Sequence, residues 1–307
     1  MKSPCPICLE DHEGKLPWHN RCLRSLFGAA RMPSIDVEVS KLHTLALATV
    51  GQTTLSGIQR KISLGLLSGK TTLQLAAGRG RYILKPQSQT FPSLPENEHL
   101  TMRLASMVGI ETPPCGIVRL PDGTFAYIVA RFDRPVDGGK LHQEDFCQLA
   151  RKSPKEKYEG SAELCARLVR TFATEPLIEL VRLFRLLVFS WWTGNGDMHL
   201  KNFSLLTGKD GIHRLSPAYD LVSTRLVIPD DDLALPVGGK TRNLTRRSWI
   251  GLAEYCGIPD RVSSRLLQEF PAALERARPL VGRSFLPKAM QEAYVSLLEE
   301  RAGILEP

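Results

Sequence analysis

Short apolar runs separated by glycine-containing turns dominate the chain between residues 55 and 134. This pattern is typical of β-strands joined by tight turns. It predicts strands at 62–67, 72–77, 82–84, 115–120 and 125–132. The last two strands form a predicted hairpin, because Pro121-Asp122-Gly123 between them favours a turn. One helix is predicted over 96–108, where apolar residues recur on a single helical face.

Helical spacing of apolar residues dominates from residue 143 onward. The predicted helices cover 143–151, 160–172, 176–193, 246–256, 260–278 and 287–303. A hairpin is predicted between residues 200 and 224, with Lys209-Asp210-Gly211 at its turn. We therefore predict an α+β fold with a cysteine-rich cap and connector (1–50), a β-rich N-lobe (51–135) and a helical C-lobe (136–307).

The composition is that of an ordinary soluble globular protein, with 43% hydrophobic and 23% charged residues among 307. The net charge of +8 is compatible with phosphate-bearing partners such as nucleotides or nucleic acid. A surface charge that only improves solubility explains it equally well.

Three features bear on the compartment. The most apolar helical stretch, 177–192, is interrupted by Glu179, Arg182 and Arg185 and is shorter than a membrane span. No apolar run follows Met1, so no signal peptide is predicted. The seven cysteines are unevenly spaced, which indicates a reducing environment and no disulfide framework. We predict a cytoplasmic protein without membrane contact.

The first 23 residues contain two pairs of metal-ligand side chains. Cys5 and Cys8 form one pair, and His19 and Cys22 form the other after ten intervening residues. Zinc prefers four sulfur and nitrogen ligands in a tetrahedron, and paired ligands at this spacing can supply them. The alternative is a reduced cap whose cysteines pack as small apolar side chains.

The clearest chemical signal is Gly196-Asp197-Met198-His199-Leu200-Lys201-Asn202, followed by Tyr219-Asp220. An Asp five positions before an Asn is the catalytic-loop spacing of kinases. There the Asp accepts the proton of the attacking hydroxyl, the Asn holds a metal ion, and a later Asp holds metal at the nucleotide phosphates. Asp197, Asn202 and Asp220 fit these roles in order, so ATP and Mg²⁺ are the predicted cofactors.

Two upstream segments are suited to phosphate. The segment from Thr54 to Lys61 contains small residues whose backbone N–H groups can cradle phosphate oxygens. Lys85 ends the strand 82–84, a position from which a kinase lysine contacts nucleotide phosphates. Glu98 on the following helix is placed to hold Lys85 in an ion pair. A lysine that simply faces solvent at a strand end is the alternative.

These motifs occur in the same order in a known family. The chain resembles the HipA family of serine/threonine kinases, toxins of bacterial toxin–antitoxin modules, over most of residues 45–260. The resemblance rests on Thr54-Leu55-Ser56-Gly57-Ile58-Gln59, Tyr82-Ile83-Leu84-Lys85-Pro86, Glu96-Asn97-Glu98, Arg131-Phe132-Asp133-Arg134, His142-Gln143-Glu144-Asp145-Phe146, Gly196-Asp197-Met198-His199-Leu200-Lys201-Asn202-Phe203-Ser204 and Tyr219-Asp220. It implies a two-lobed, protein-kinase-like fold and phosphorylation of serine or threonine from ATP.

The resemblance also implies roles for individual residues. Asp197 would be the catalytic base, with Asn202 and Asp220 as Mg²⁺ ligands. Thr54 and Ser56 match loop hydroxyls that family members phosphorylate in themselves. Residues 130–132 match the hinge that meets adenine. The implied ATP-binding residues are Ser56, Gly57, Ile58, Gln59, Arg60, Lys61, Lys85, Ala130, Arg131, Phe132, His199, Leu200, Lys201 and Tyr219.

The cysteine-rich start and Leu26-Phe27-Gly28 look similar to HipT, the short form found in three-gene modules. This likeness implies a HipB-like helix-turn-helix antitoxin, a HipS-like small protein, and DNA contact only through the antitoxin. It also implies an aminoacyl-tRNA synthetase as the protein substrate, with the tryptophanyl enzyme favoured over the glutamyl enzyme.

Two other functions stay open from the sequence. The segment 195–202 also resembles the catalytic loop of aminoglycoside and choline kinases, and the acidic run 230–232 would suit a cationic small substrate. A DNA-associated corepressor without kinase activity is suggested only by the basic stretch 242–247. Retention of Lys85 and Asp197 argues against the corepressor, since an inactive kinase has no physical need of them.

Overall fold

The computed structural model describes residues 3–13, 16–35, 61–67, 72–76 and 80–307. The chain divides into two compact units. The first unit comprises Met1–Arg103, Pro113–Arg131 and Leu280–Gln291. The second comprises Leu104–Thr112, Phe132–Pro279 and Glu292–Pro307.

The first unit is rich in β-structure. Its strands are β1 (Ser3–Pro4), β2 (Asp11–His12), β3 (Ser34–Ile35), β4 (Ile62–Leu66), β5 (Thr72–Leu75), β6 (Tyr82–Pro86), β7 (Cys115–Arg119) and β8 (Phe125–Ala130). Helix α1 (Asn20–Phe27) and most of helix α2 (Leu94–Met107) also belong to it. Six strands form one sheet in the order β3-β5-β4-β6-β8-β7, while β1 and β2 pair separately. All neighbours in the large sheet are antiparallel except β3 and β5.

The core of the first unit joins the large sheet to the N-terminal segment. Leu64 and Leu84 of the central strands are fully buried together with Leu23 and Phe27 of α1. The ring of Phe27 lies 5.5 Å from that of Tyr82 between centroids. Because α1 ends at Gly28 in a left-handed conformation (φ 63°), the chain can turn sharply away from the helix. Because Leu23 and Phe27 share this core, the cysteine-rich cap is part of the folded first unit.

The second unit is mainly helical. Its helices are α3 (Phe146–Leu149), α4 (Ala162–Phe172), α5 (Pro176–Trp192), α6 (Arg246–Cys256), most of α7 (Asp260–Gly282) and most of α8 (Lys288–Leu305). A three-stranded antiparallel sheet contains β9 (His142–Asp145), β10 (Ser204–Thr207) and β11 (His213–Leu215) in the order β11-β10-β9.

Helix α5 is the centre of the second unit. It begins at Pro176, a residue that suits the first helical position, and most of its side chains are buried around the whole circumference. Trp192 packs against Phe270, and its indole N–H donates to the carbonyl of Leu298 at 3.0 Å. In the part of the chain that the structure describes, no helix combines the length and apolarity needed to cross a bilayer.

The predicted α+β class, with a β-rich part followed by a helical part, is confirmed. The two hairpins around Asp122-Gly123 and Lys209-Asp210-Gly211 form as predicted. One predicted helix is wrong at its start, because residues 143–145 are extended and pair with β10. The helix begins only at Phe146. Asp145 caps it by accepting from the backbone N–H of Gln148 at 2.9 Å, which fixes the boundary.

Candidate active site

The loop between α5 and β10 holds a buried carboxylate on a rigid backbone. Asp197 is only 9% exposed. Its backbone N–H donates to the side-chain oxygen of Asn195 at 3.1 Å. Its carbonyl accepts from the side-chain amide of Asn202 and from the backbone N–H of His199, each at 2.9 Å. Hydrogen bonds at both the N–H and the carbonyl therefore fix the backbone of Asp197.

The carboxylate of Asp197 has a partner that the sequence did not reveal. The hydroxyl of Tyr158 donates to Oδ1 of Asp197 at 2.5 Å. The carbonyl of the preceding Lys157 accepts from the backbone N–H of Leu200 at 3.0 Å, so the two segments are joined twice. Tyr158 lies in a polar stretch 39 residues upstream, where no spacing marks it as part of the site.

Burial is the main factor that raises the pKa of Asp197 above the ordinary value of an aspartate. The neighbouring carboxylates of Asp220 and Asp231 raise it further. The hydrogen bond from Tyr158 and the charge of Lys157 act in the opposite direction. The site thus holds a carboxylate whose proton affinity is increased, which suits a group that must accept a proton from a substrate hydroxyl.

Asn202 and Asp220 each carry a side-chain oxygen, and the charge of Asp220 acts on the Asp197 carboxylate. Because the amide nitrogen of Asn202 is engaged by the Asp197 carbonyl, the amide oxygen is directed elsewhere. Asp220 adopts a left-handed backbone conformation with φ 56°, which Asp tolerates better than most residues. The hydroxyl of the preceding Tyr219 donates to the carbonyl of Lys201 at 2.9 Å. Amide and carboxylate oxygens are ligands that Mg²⁺ prefers, so these residues fit such an ion chemically.

The base of the loop is closed by Thr224. Its hydroxyl accepts from the backbone N–H of Gly196 at 2.7 Å and also contacts the carboxylate of Asp231. A side chain at position 196 would overlap that carboxylate and the carbonyl of Asp232. Glycine is therefore required at position 196 by close packing.

The other predicted residues of this loop have internal partners. The ammonium of Lys201 lies 2.6 Å from the carboxylate of Asp145, the residue that caps α3. His199 is buried, and its ring meets that of Tyr158 edge-on with centroids 5.1 Å apart. Leu200 is fully buried. Phe132 contacts Tyr219, with ring centroids 5.6 Å apart. These contacts hold the loop through side chains on both of its flanks.

The first unit contains the predicted lysine–glutamate pair. The ammonium of Lys85 lies 2.5 Å from Oε1 of Glu98, and the two side chains are 2% and 1% exposed. Lys85 stands opposite Tyr127 in the sheet and lies 5.5 Å from its ring centroid. Lys85 does not face solvent at a strand end, so that alternative is wrong. A buried ion pair of this kind is costly in desolvation and is maintained only in good geometry.

The remaining predicted nucleotide-binding residues divide into two groups. Thr54, Ser56, Gly57, Ile58, Gln59 and Arg60 lie outside the described residues. Lys61 is exposed at the start of β4. Ala130 is buried at the end of β8, and the backbone N–H of Arg131 donates to the carbonyl of Arg81 at 2.8 Å.

The four predicted metal ligands of the cap lie close to one another. The donor atoms of Cys5, Cys8, His19 and Cys22 all lie within 4.8 Å of one another. These four residues belong to the first unit, whereas the Asp197 loop belongs to the second.

Comparison with known proteins shows a family resemblance over most of the chain. The family pattern described as HipA-like C-terminal domain matches residues 53–277. Y4mE of Sinorhizobium fredii, which is named as an inferred kinase, is 33% identical over 216 residues, covering 66% of this chain and 51% of that protein. The chain thus spans about half the length of this relative.

Two solved structures share the fold. HipA of Shewanella oneidensis, solved with HipB and its operator DNA, superposes with a TM-score of 0.73 at 20% identity, covering 88% of this chain and 72% of that one. The proinflammatory kinase CtkA of Helicobacter pylori gives a TM-score of 0.56 at 12% identity, covering 76% and 87%. Since the family pattern extends over more than half of the sequence, the chain belongs to the family of HipA-like C-terminal domains.

Proposed function

We propose that this chain is an ATP- and Mg²⁺-dependent protein kinase that phosphorylates serine or threonine. The observation that carries the proposal is the buried carboxylate of Asp197, whose pKa is raised in part by the charge of Asp220. The backbone carbonyl of the same residue accepts from the side-chain amide of Asn202. Kinase homologues use an Asp, an Asn and a second Asp at this spacing for the same chemistry.

Each residue has a role that follows from its environment. Asp197 would accept the proton of the substrate hydroxyl as that oxygen bonds to the γ-phosphorus of ATP, while the bond from that phosphorus to the β,γ-bridging oxygen breaks and ADP leaves. The increased proton affinity of Asp197 helps this transfer, and the hydrogen bond from Tyr158 holds its carboxylate in place. Asn202 and Asp220 would hold Mg²⁺, which would supply positive charge to neutralise the phosphates. Lys85 contacts phosphate oxygens, with Glu98 keeping its ammonium oriented.

The proposed biological role is that of a toxin in a toxin–antitoxin module. This role is supported by membership of the family of HipA-like C-terminal domains. It is also supported by the HipA structure from S. oneidensis, which contains HipB and operator DNA. The partners we propose for this chain are a HipB-like antitoxin and a HipS-like small protein, as for the short HipT form. The proposed protein substrate is an aminoacyl-tRNA synthetase, of which the tryptophanyl enzyme is favoured. The chain's own Thr54 and Ser56 are proposed as sites of autophosphorylation.

A small-molecule kinase receives no support from the acidic run 230–232. Asp230 pairs with Arg225 at 3.1 Å, and Asp232 pairs with Arg242 at 2.5 Å. Asp231 contacts Thr224 at the base of the loop. All three carboxylates line a cavity of the second unit, and Arg225 and Arg242 line the same cavity and offset their negative charge.

The test is phosphate transfer by the wild type and an Asp197→Asn variant, measured by mass spectrometry after incubation with Mg-ATP and cell lysate. We expect phosphopeptides in the wild-type reaction and a loss of about 10²- to 10⁴-fold in the variant, because general-base catalysis contributes about that much. The matched control is Asp210→Asn, because Asp210 is exposed in the β10–β11 turn and, among the charged groups that the structure describes, pairs only with Arg214. Full activity of Asp197→Asn would refute the proposal.

The folding of that variant needs its own check. A carboxyl whose pKa is raised in the folded state disfavours folding once it is ionised, so this cost is present at neutral pH and disappears in acid. Asp197→Asn should therefore melt at the same temperature as the wild type or higher. A lost activity with an unchanged or raised Tm identifies a chemical defect.

A further inference from the structure

The donor atoms of the N-terminal cap have the spacing of a tetrahedral metal site. Tetrahedral zinc, with its ordinary bond lengths, places two sulfur ligands about 3.8 Å apart and a sulfur and a nitrogen about 3.6 Å apart. Nδ1 of His19 lies 3.4 Å from the sulfur of Cys8 and 3.9 Å from that of Cys22. Cys5 completes the group, in which all donor atoms lie within 4.8 Å of one another.

The backbone around the first pair forms a tight turn. The turn is closed by hydrogen bonds of 2.9 Å from Leu9 N–H to the Cys5 carbonyl and from Cys5 N–H to the Glu10 carbonyl. It thereby brings Cys5 and Cys8 into one group of donor atoms with His19 and Cys22.

Leu9 has an unfavourable backbone conformation that this turn imposes. Its φ is 63°, in the left-handed region that is unfavourable for a non-glycine residue. The side chain is fully buried, so its position is fixed by the surrounding core. Strain of this kind persists where the surroundings enforce it, and such places are commonly functional.

We propose that Cys5, Cys8, His19 and Cys22 form a closed structural Zn²⁺ site with three thiolate ligands and one imidazole. A disulfide would join only two of the sulfurs and would make no use of the imidazole. A reduced apolar cap would gain nothing from His19 placed between two sulfurs or from the strained turn at Leu9. Four protein ligands leave no open position, so the site is structural and not catalytic.

The site also secures one edge of the first unit. The carbonyl of Ile7, between the first two ligands, accepts from Nε2 of His99 at 3.0 Å. The carbonyl of Pro6 accepts from the N–H of Ile117 in β7 at 2.8 Å, and that of Leu9 accepts from Nε of Arg283 at 2.8 Å. His99 directly follows Glu98 on α2, so the metal-binding turn is bonded to the helix that carries the partner of Lys85.

The backbone of β7 lies unusually close to the metal-binding turn. A Cβ added at Gly116 would lie 3.1 Å from the carbonyl oxygen of Pro6 and 3.1 Å from the side chain of Ile7. Metal removal should therefore loosen the attachment of the turn to both β7 and α2. The expected result is a less stable first unit.

Elemental analysis of the full chain, purified without chelator and without a polyhistidine tag, tests the site directly. We expect about one zinc per chain, and a loss of that zinc in Cys5→Ser and Cys22→Ser. The matched control is Cys256→Ser, since Cys256 is a buried thiol of the second unit outside this group. A wild-type protein that carries no zinc, or that carries iron instead, would overturn the assignment.

A second measurement does not depend on the folding of the serine variants. Wild-type protein is stripped with chelator and titrated with Co²⁺, and we expect the visible spectrum of tetrahedral thiolate-bound cobalt to saturate at one equivalent. Absence of that spectrum would refute the site. Chelation should also lower Tm, and added Zn²⁺ should restore it. An unchanged Tm would refute the structural role while leaving the proposed kinase function untouched.

Discussion

Replacing Tyr158 with phenylalanine removes one hydrogen bond to the carboxylate of Asp197 and leaves the ring in place. The hydroxyl donates at 2.5 Å to a carboxylate that is almost completely buried. Among the causes that lower the pKa of Asp197, this hydrogen bond is the largest. Without it, burial and the charges of Asp220 and Asp231 act with less opposition, so the pKa of Asp197 should rise further.

The size of the effect follows from the charge of the acceptor. A hydrogen bond to a charged group contributes about 1.5–3 kcal/mol, more than one between neutral groups. That free energy corresponds to about a 10- to 150-fold change in the ratio of ionised to protonated carboxyl, since 1.36 kcal/mol is tenfold. Only the ionised form can accept a proton, so the activity of the variant relative to the wild type should fall by up to this factor. The full fall is reached in buffer acidic enough to protonate most of the carboxyl in both proteins.

The assay is the pH dependence of phosphotransfer from labelled ATP. In Tyr158→Phe, the acid limb of the profile should move to higher pH, while activity on the alkaline plateau changes much less. The matched control is Tyr255→Phe, because the Tyr255 hydroxyl contacts Arg167 at 3.3 Å on the surface and not Asp197. If the acid limb of Tyr158→Phe coincides with that of the wild type, Tyr158 does not control the protonation of Asp197.

Two further changes test other parts of the chain. Gly196→Ala should destabilise the protein by about 1–3 kcal/mol through overpacking against Asp231 and should lower Tm. Gly251→Ala in helix α6, where no atom lies within 4 Å of an added Cβ, should raise Tm slightly, and the opposite order would contradict the packing argument. Glutamate at both Thr54 and Ser56 should reduce phosphotransfer by repelling the nucleotide phosphates, whereas alanine at both should preserve the chemistry. Phosphopeptide mapping and activity measurements check this, and a fully active acidic variant would refute it.

Local patterns predicted most of the fold because most elements depend on short-range signals. The boundaries of α6 agree with the prediction at 246–256, since Thr245 is a capping residue and Gly257 a left-handed terminus. The error at residues 143–145 arises from a long-range contact and not from a local signal. These residues become a strand because they pair with β10, about 60 residues away, and such partners are invisible to helical periodicity.

The residues of the candidate site also divide into those with a short-range sequence signal and those with long-range partners. Asp197 and Asn202 are recognisable because their spacing within one loop is fixed by the chemistry. Tyr158 is not recognisable from any spacing. Asp145 lies in a motif that carries the family resemblance, but its contact with Lys201 is not recognisable. Each residue reaches the loop from a segment that folds back over a long sequence distance. The cap ligands could be paired from spacing alone, but only the bent turn at Leu9 and the position of His19 favour metal over a reduced cap.

The left-handed backbone at Asp220 limits how the residue can be varied without damage to the polypeptide. Asparagine adopts the same conformation readily and glycine does so freely, whereas alanine or a β-branched residue would add strain at φ 56°. A folded chain that lacks this one carboxylate is therefore best made as Asp220→Asn. Natural substitutions at position 220 should be confined to asparagine and glycine, even in a protein that no longer needs the carboxylate. An alanine scan would confuse loss of the proposed metal ligand with loss of a turn at this position.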